Sequence, residues 1–336
     1  MTGSATPRVS VVMPFHDSSA KLTFALDSLC RQTWTAFEVI AVDDGSTDDG
    51  PAIVRRYVAH DERVRLFEAG RVGIVAALRM GCAAARGEFI ARMDADDVAY
   101  PGRLAHQHAL LERHRQVALC GTQVRMTGPA VGMGRRRYAH WINGLTAPEA
   151  IAREIYIECP VPHPTFFMRR AAYEAVGGYL DHGWPEDYDL LFRLHAAGYG
   201  IAKVSKVLLD WHDTPGRLSR CDARYSEAAF RAVKRHYLLE GPLRGAPRFF
   251  QWGAGEVGKR WLREWGTCPP EAVVDINPRK IGRTIHGTPV VAPEALPGPG
   301  AAVTLVAVGA PGAREEIRDW FAARGYAEAA DYWFVA

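Results

Sequence analysis

Short apolar runs alternate with segments of helical periodicity over the first hundred positions of the chain. The runs cover residues 9–13, 39–42, 64–67 and 89–93 and are rich in Val, Ile and Phe, which is typical of strands buried on both faces. Apolar residues between the runs recur at the spacing of a helix, as at Leu22, Leu26 and Leu29. The alternation predicts a doubly wound, mostly parallel α/β sheet.

Polar loops follow three of these strands, at residues 14–17, 43–46 and 94–97. Ligands of open parallel sheets bind beyond the carboxyl ends of the strands. We therefore expect the three loops to lie along one rim and to share a ligand.

The third loop, Asp94-Ala95-Asp96-Asp97, brings three carboxylates within four residues. Mg²⁺ and Mn²⁺ take oxygen ligands and often join a protein carboxylate to a substrate phosphate. Alternatively, acidic residues ahead of Pro101 cap the helix that begins there. The rim loops taken together favour a metal site.

A turn-rich break divides the chain. Residues 1–240 form the predicted first domain, including an irregular loop at 128–148; 241–247 are a linker, and 248–336 a small second domain. That domain opens with a strand and then Gly253, Gly255 and Gly258, with Asp275 at the end of its next strand, as in a dinucleotide-binding fold. We predict a Rossmann-like domain of the nucleotide-binding type, with an NAD-like ligand or a packing role as alternatives.

Composition narrows the functional classes. The chain has 48% hydrophobic and 24% charged residues and a net charge of +3, which is typical of a globular protein whose partner is not nucleic acid. Its six cysteines form no CxxC pair, and no apolar run is long enough for a membrane span. We expect a cytoplasmic protein, with peripheral membrane contact through the arginines at 135–137 beside Tyr138 and Trp141 as an alternative to a solvated surface.

The motifs at 11–16, 42–48, 73–81, 85–90 and 93–97 together resemble the family 2 glycosyltransferases of the GT-A fold, over about residues 8–236. The resemblance implies an inverting enzyme that moves a sugar from a nucleoside-diphosphate sugar to a saccharide or lipid-linked acceptor, in surface polysaccharide or glycoconjugate biosynthesis. It also implies a divalent cofactor, Mn²⁺ or Mg²⁺.

The resemblance assigns the donor side to residues of the three rim loops. Asp94 is expected at the ribose or the metal, Asp96 as the main metal ligand, and Asp97 as a residue that orients the loop. Arg71 stands where many relatives carry Asn, and it either pairs with a phosphate or is solvated. The expected nucleotide-sugar contacts are Pro14, Phe15, His16, Asp43, Asp44, Arg71, Asp94 and Asp96, and Phe15 is expected to offer its ring.

The acceptor side is assigned from an acidic pair at the head of a helix. The resemblance implies that Asp187 is the general base and that Glu186 assists it, although both could simply favour a helix N-terminus. Trp184 is expected to stack on a sugar and His163 to lie near the cleft. By the same resemblance, His212 and Arg217 lie in a segment that closes over the diphosphate, where His212 either completes the metal shell or binds phosphate. A solvent-exposed loop is the alternative for this segment.

Two other functions fit parts of the chain. A sugar nucleotidyltransferase would use a similar first domain and metal, but it needs a glycine-rich loop after the first strand, and residues 14–19 contain no glycine. A non-catalytic protein that senses a nucleotide or NAD would depend on the second domain. The intact Asp96 and Asp187 argue against that alternative.

Overall fold

An eight-stranded sheet forms the first of two units in the computed structural model, which describes residues 6–246 and 248–336. This unit contains residues 6–151, Pro160–His182 and Glu186–Asp222, and the second contains Ala152–Cys159, Gly183–Pro185, 223–246 and 248–336. The predicted linker includes Pro247, which lies outside the described residues. The division into domains at 1–240, 241–247 and 248–336 stays a prediction.

The strands of the first unit are β1 (Val9–Phe15), β2 (Phe37–Asp43), β3 (Val64–Glu68), β4 (Phe89–Arg92), β5 (Val98–Ala99), β6 (Val117–Thr127), β7 (Phe167–Arg169) and β8 (Gly200–His212). The spatial order is β3-β2-β1-β4-β7-β6-β8-β5. Strands β7 and β5 run opposite to the other six. The predicted mostly parallel, doubly wound sheet is confirmed.

The helices of this unit are α1 (Ser19–Cys30), α2 (Gly50–His60), α3 (Ile74–Ala83), α4 (Arg103–Arg113), α5 (Met133–Gly144), α6 (Pro148–Glu154), α7 (Arg170–Ala175), α8 (Glu186–Ala196) and α9 (Leu218–Cys221). The last residues of α6 fall in the second unit. Helix α3 packs tightly on β1, because a Cβ at Gly81 would lie 2.5 Å from Val12 Cγ1. Every residue of β1 and of β2 is buried, so their apolar runs form the centre of the core.

The prediction of an irregular loop at 128–148 is wrong, because α5 occupies most of that segment. The sequence of α5 has little apolar periodicity, since three arginines and two glycines surround its inward residues. Ala139 and Ile142 are buried, and Tyr138 and Trp141 pack against the core. Tertiary packing of this inner face therefore stabilises a helix that local propensity does not indicate.

The second unit is a smaller α/β domain of the Rossmann-like type, as predicted. Its strands are β9 (Phe249–Trp252), β10 (Val273–Val274), β11 (Thr284–Ile285), β12 (Thr288–Val291), β13 (Val303–Val306) and β14 (Tyr332–Phe334), and its helices are α10 (Glu227–Glu240), α11 (Glu256–Glu264) and α12 (Ala313–Ala322). The order is β11-β12-β10-β9-β13-β14, and every pairing is parallel except that of β11 with β12.

No helix within residues 6–246 and 248–336 has the length and apolar character that crossing a membrane requires.

Candidate active site

Asp44 shapes the rim of the sheet at the end of β2. Its carboxylate is 5% exposed; Oδ1 accepts the backbone N–H groups of Val72 at 2.7 Å and Gly73 at 2.8 Å. Oδ2 pairs with Nη1 of Arg71 at 2.7 Å. Both oxygens of Asp44 thus hold the loop that enters α3, and they bring Arg71 to the rim with its side chain 60% exposed.

The loop after β1 places its residues differently from the sequence expectation. Pro14 is buried in the strand, and the Phe15 ring is 3% exposed and packs in the core beside Gly50. A base cannot stack on a ring in that position, so the expected Phe15 ring contact is absent and only its backbone faces the next loop, where Phe15 O accepts Asp44 N–H at 2.9 Å. Asp43 Oδ1 accepts Ser46 N–H at 2.9 Å.

His16 follows that strand and is only partly buried. Its Nε2 lies 3.3 Å from Asp17 Oδ2, whereas its Nδ1 is buried without a hydrogen-bond partner among the described residues. An imidazole nitrogen with unused hydrogen-bonding capacity at the strand end is available to a ligand.

Three carboxylates converge after β4. Asp94, Asp96 and Asp97 offer oxygens within 4.8 Å of one another. Burial and the neighbouring Asp94 raise the pKa of Asp96 to about 6. The same two causes raise the pKa of Asp97 well above its usual value. The crowding that the sequence suggested is therefore present.

Two arginines offset the charge of this cluster. Arg92, buried at the end of β4, forms an ion pair with Asp94, and Arg217 Nη2 lies 3.0 Å from the other oxygen of Asp94. Burial opposes ionisation of Asp94, but Arg92 and Arg217 outweigh it and lower its pKa. The Arg217 guanidinium also stacks over the Trp211 ring, with its Cζ 4.8 Å from the centroid.

The carboxylates fit a hard divalent ion, because all of their donors are oxygens and they point to one place. His212 does not belong to this group of close ligands in the described chain. Its ring Nδ1 instead lies 3.4 Å from Thr127 Oγ1, and its backbone N–H donates to Asp97 Oδ1 at 2.7 Å. Burial, Lys21 and Arg217 lower the pKa of His212, so its imidazole is neutral at pH 7.

The two carboxylates of the acidic pair at the start of α8 differ in burial. Glu186 is 1% exposed, while Asp187 is only partly buried. Burial and the charge of Glu186 raise the pKa of Asp187 to about 7. A carboxylate that titrates near neutral pH is suited to general base catalysis.

His163 lies in a buried network beside this pair. Its Nε2 is 2.7 Å from Tyr179 Oη, and its Nδ1 is 3.7 Å from Glu186 Oε1. Burial and the nearby Arg92 and Arg217 lower the pKa of His163 well below its usual value, so the ring is neutral. His163 therefore lies beside Glu186, the buried member of the acidic pair. The burial of Glu186 suits a residue that positions Asp187.

Two groups of predicted residues belong to the second unit. Trp184 packs against His236 there, with ring centroids 5.4 Å apart. Asp275 accepts Ala254 N–H at 2.9 Å and Asn277 N–H at 2.8 Å, and pairs with Lys280 at 3.0 Å. This carboxylate, which the sequence placed in a candidate nucleotide-binding site, thus holds the glycine-rich loop.

The glycines of that loop have separate roles. A Cβ at Gly258 would lie 1.8 Å from the carbonyl oxygen of Gly253, so close packing requires this glycine. Gly253 has a φ of +115°. Gly255 has no atom within 4 Å of its ideal Cβ position, so the space above it is open.

Sequence reasoning missed Arg92 and Tyr179 and placed Arg217 only generally, in a closing segment. A signal for Arg92 was available, because a charged residue inside an otherwise apolar, buried strand needs a partner. Tyr179 and Arg217 gave no comparable signal, since their positions depend on how distant segments fold back.

Comparisons with known proteins show the family of the chain. The family model described as Glycosyl transferase family 2 matches residues 10–177. EpsE of Bacillus subtilis (strain 168), a glycosyltransferase by name, is 30% identical over 225 residues, which are 66% of this chain and 78% of EpsE.

Solved structures agree on the fold. Staphylococcus aureus TarS 1–349, in complex with UDP-GlcNAc, aligns with a TM-score of 0.55 at 22% identity and covers 69% of this chain and 66% of that one. The mannosyltransferase PcManGT of Pyrobaculum calidifontis, in complex with GDP-Man and Mn²⁺, has a TM-score of 0.52 at 22% identity and covers 69% and 62%. At this identity the likeness establishes the GT-A fold of the first unit.

Proposed function

The chain belongs to glycosyltransferase family 2, and we propose that it transfers a sugar, with inversion, from a nucleoside-diphosphate sugar to a saccharide or lipid-linked acceptor. One observation carries the proposal. The buried Arg92 guanidinium pairs with Asp94 of the acidic cluster, and the charges of Asp94 and of Glu186 in the acidic pair both raise its pKa against the effect of burial. The acidic cluster and the acidic pair thus act electrostatically on one buried charge.

Asp187 is the proposed general base. Its carboxylate takes the proton of the acceptor hydroxyl as that oxygen attacks the anomeric carbon, and the bond from that carbon to the diphosphate oxygen breaks with its electron pair leaving on the diphosphate. Attack from the face opposite the leaving group inverts the anomeric centre. The raised pKa of Asp187, about 7, lets it accept this proton near neutral pH.

Asp94 and Asp96 are the proposed holders of a divalent metal, with His212 as a further candidate whose ring would have to leave Thr127. When bound, Mn²⁺ or Mg²⁺ would supply positive charge against the departing diphosphate. The Mn²⁺ and GDP-Man in PcManGT support this part of the proposal by analogy. Arg217 is placed to meet the same phosphates through Nη1, which is buried without a hydrogen-bond partner in the described chain.

The nucleoside is proposed to lie over the ends of β1 and β2, where Pro14 and Phe15 supply backbone and His16 and Asp43 supply polar side-chain groups. Asp44 contributes through the loop that it holds and through Arg71. TarS in complex with UDP-GlcNAc supports such a donor site.

Assembly of a surface polysaccharide or glycoconjugate at the cytoplasmic face of a membrane is the proposed setting. His163 supports the acceptor side through Glu186, and Trp184 remains a proposed sugar contact. A dinucleotide on the second domain is the weakest of the predictions, because Asp275 is already bonded to two backbone N–H groups and Lys280.

Donor binding tests the proposal. UDP-, GDP- and dTDP-sugars are titrated into the full chain by calorimetry with and without Mn²⁺, for the wild type, Asp96→Asn and a control, Asp319→Asn, which changes an exposed carboxylate of α12. We expect one donor class to bind in a Mn²⁺-dependent manner to the wild type and to the control, and more than tenfold more weakly to Asp96→Asn. A wild-type chain that binds none of these donors but binds NAD would overturn the proposal.

A further inference from the structure

Helix α5 presents a cationic stripe to solvent. Met133, Arg136, Arg137 and His140 are all exposed. Their spacing of i, i+3, i+4 and i+7 places them on one face of the helix. Met133 is 79% exposed, the highest value among the large hydrophobic residues of the described chain that are exposed.

The opposite face of α5 fixes the direction of that stripe. Ala139 and Ile142 are buried, and the Tyr138 ring lies 6.3 Å from the Trp211 ring, centroid to centroid. Tyr138 and Trp141, which the sequence suggested as membrane contacts, pack against the core instead. The outward residues are therefore Arg136, Arg137, His140 and Met133.

A buried carboxylate joins α5 to α9. Asp213 is 0% exposed; it accepts hydrogen bonds from Arg220 Nη2 at 2.6 Å and Nε at 3.1 Å, and Arg135 Nε lies 3.6 Å away. One negative charge thus holds two arginines. Leu218, on the same short helix as Arg220, is 40% exposed.

We call the surface formed by Met133, Arg135, Arg136, Arg137, His140, Leu218 and Arg220 the basic surface. Two of its four arginines, Arg135 and Arg220, pair with the buried Asp213, and neither Arg136 nor Arg137 forms an ion pair within the described part of the chain. Helix α5 itself contains no acidic residue. Surfaces that only face water usually mix charges of both signs.

We infer that the basic surface docks on an anionic lipid bilayer. Juxtaposed arginines are attracted to anionic headgroups, and exposed apolar side chains beside them can enter the headgroup boundary. The exposed Met133 and Leu218 favour a bilayer over a soluble polyanion. Their apolar side chains would be removed from water in a bilayer but would stay hydrated beside a phosphate polymer.

The basic surface adjoins the candidate active site along the chain. Asp213 follows His212, whose N–H is bonded to Asp97, and Arg220 follows Arg217, which is bonded to Asp94. Docking would bring this part of the acidic rim to the membrane surface, where a lipid-linked acceptor would be. The inference does not require the transferase proposal, because bilayer binding is measured without donor or turnover.

Vesicle flotation of the full chain tests the inference, with phosphatidylcholine vesicles alone and with phosphatidylglycerol added. The variants are Arg136→Glu with Arg137→Glu, Met133→Asp, and Met133→Leu. The matched control is Arg56→Glu with Arg113→Glu, which reverses two exposed arginines on α2 and α4. Donor binding by each variant is measured in parallel.

We expect the wild type, the control and Met133→Leu to float with the phosphatidylglycerol vesicles and not with phosphatidylcholine alone. The double reversal at 136 and 137 should lower the partition coefficient by at least about tenfold, and Met133→Asp should lower it severalfold, with donor binding unchanged. Failure of the wild type to float with anionic vesicles overturns the inference, as does equal flotation of the double reversal and its control. Flotation of Met133→Asp at the wild-type level, with displacement by soluble polyphosphate, would assign the surface to a polyanion and overturn the bilayer as its partner.

Discussion

The backbone N–H of His212 donates a 2.7 Å hydrogen bond to Oδ1 of Asp97, 115 residues away along the chain. This bond joins the loop after β4 to the end of β8, next to the antiparallel pairing of Val98 with Asp210. Asp97 is 0% exposed, and burial raises the pKa of its carboxyl well above the usual range. Asp97 is therefore a buried acceptor that links the two segments, and the orienting role that the resemblance implied stays a prediction.

Replacement of Asp97 should separate this hydrogen bond from the charge. Asp97→Asn keeps an acceptor in the same place, whereas Asp97→Ala leaves the His212 N–H buried without a partner. We expect Asp97→Ala to lower the free energy of unfolding by about 1–3 kcal/mol, measured by urea denaturation, and Asp97→Asn to lower it by less than half as much. Equal losses in the two variants would mean that charge, and not the hydrogen bond, is what the site needs.

The pH dependence of donor turnover should report Asp187. Because only the ionised carboxylate can accept a proton, kcat/KM should rise with pH up to about 7 and then level off. Asp187→Asn should lose most of the activity, and its residual rate should lack this rise. A wild-type rate that is flat from pH 5 to pH 8 would exclude Asp187 as the base.

The raised pKa of Asp187 also predicts that ionisation of this residue, which favours activity, lowers stability. The folded-state pKa of Asp187, about 7, lies above the ordinary carboxyl value of 3.8. Ionisation of Asp187 therefore costs stability, and this cost grows as pH rises from about 4 to 7. Asp187→Asn should be more stable than the wild type at pH 8 and similar to it at pH 4, as measured by urea denaturation at both values. A variant that is less stable at pH 8 would contradict the burial of a charge at this position.

Arg92 and Asp94 should show strong coupling in a double-mutant cycle. Arg92→Met leaves the Asp94 carboxylate with Arg217 alone, so we expect a loss of about 3 kcal/mol in the free energy of unfolding, at the lower end for a broken buried pair. In the Asp94→Asn background the same substitution should cost at least about 1 kcal/mol less. Additive effects would show that the two residues do not stabilise one another.

Two glycines of the second domain should differ in their tolerance of a methyl group. Gly258→Ala puts a Cβ 1.8 Å from the Gly253 carbonyl oxygen, whereas Gly255→Ala meets open space. We expect Gly258→Ala to lower stability by about 1–3 kcal/mol and Gly255→Ala to change it by less than about 1 kcal/mol. Thermal unfolding of both variants measures this, and similar melting temperatures would contradict the close packing of the loop on α11.

Sequence patterns predicted the parts of the structure that depend on local order. The apolar runs of β1 and β2 and the polar loops at their ends were readable because a strand buried on both faces is a nearly continuous apolar segment. The acidic cluster could be predicted because its three carboxylates are close along the chain.

Contacts between distant segments could not be predicted from the sequence. The Phe15 ring could have faced either side of β1, and only the packing of α2 decides that it enters the core. The contact of His163 with Tyr179 and the ion pair of Arg217 with Asp94 depend on tertiary folding, and α5 has little apolar periodicity of its own.

The anomeric configuration of the released sugar shows whether the transfer inverts the anomeric centre. The donor identified by calorimetry is incubated with Mn²⁺ and the wild type, Asp187→Asn or the control Asp319→Asn, and the first product formed from donor and water or acceptor is followed by proton NMR. We expect the wild type and the control to release or transfer the sugar with the configuration opposite to that of the donor, and Asp187→Asn to bind the donor without turning it over. A product that keeps the donor's configuration, or an undiminished rate in Asp187→Asn, would contradict inverting transfer with Asp187 as its base.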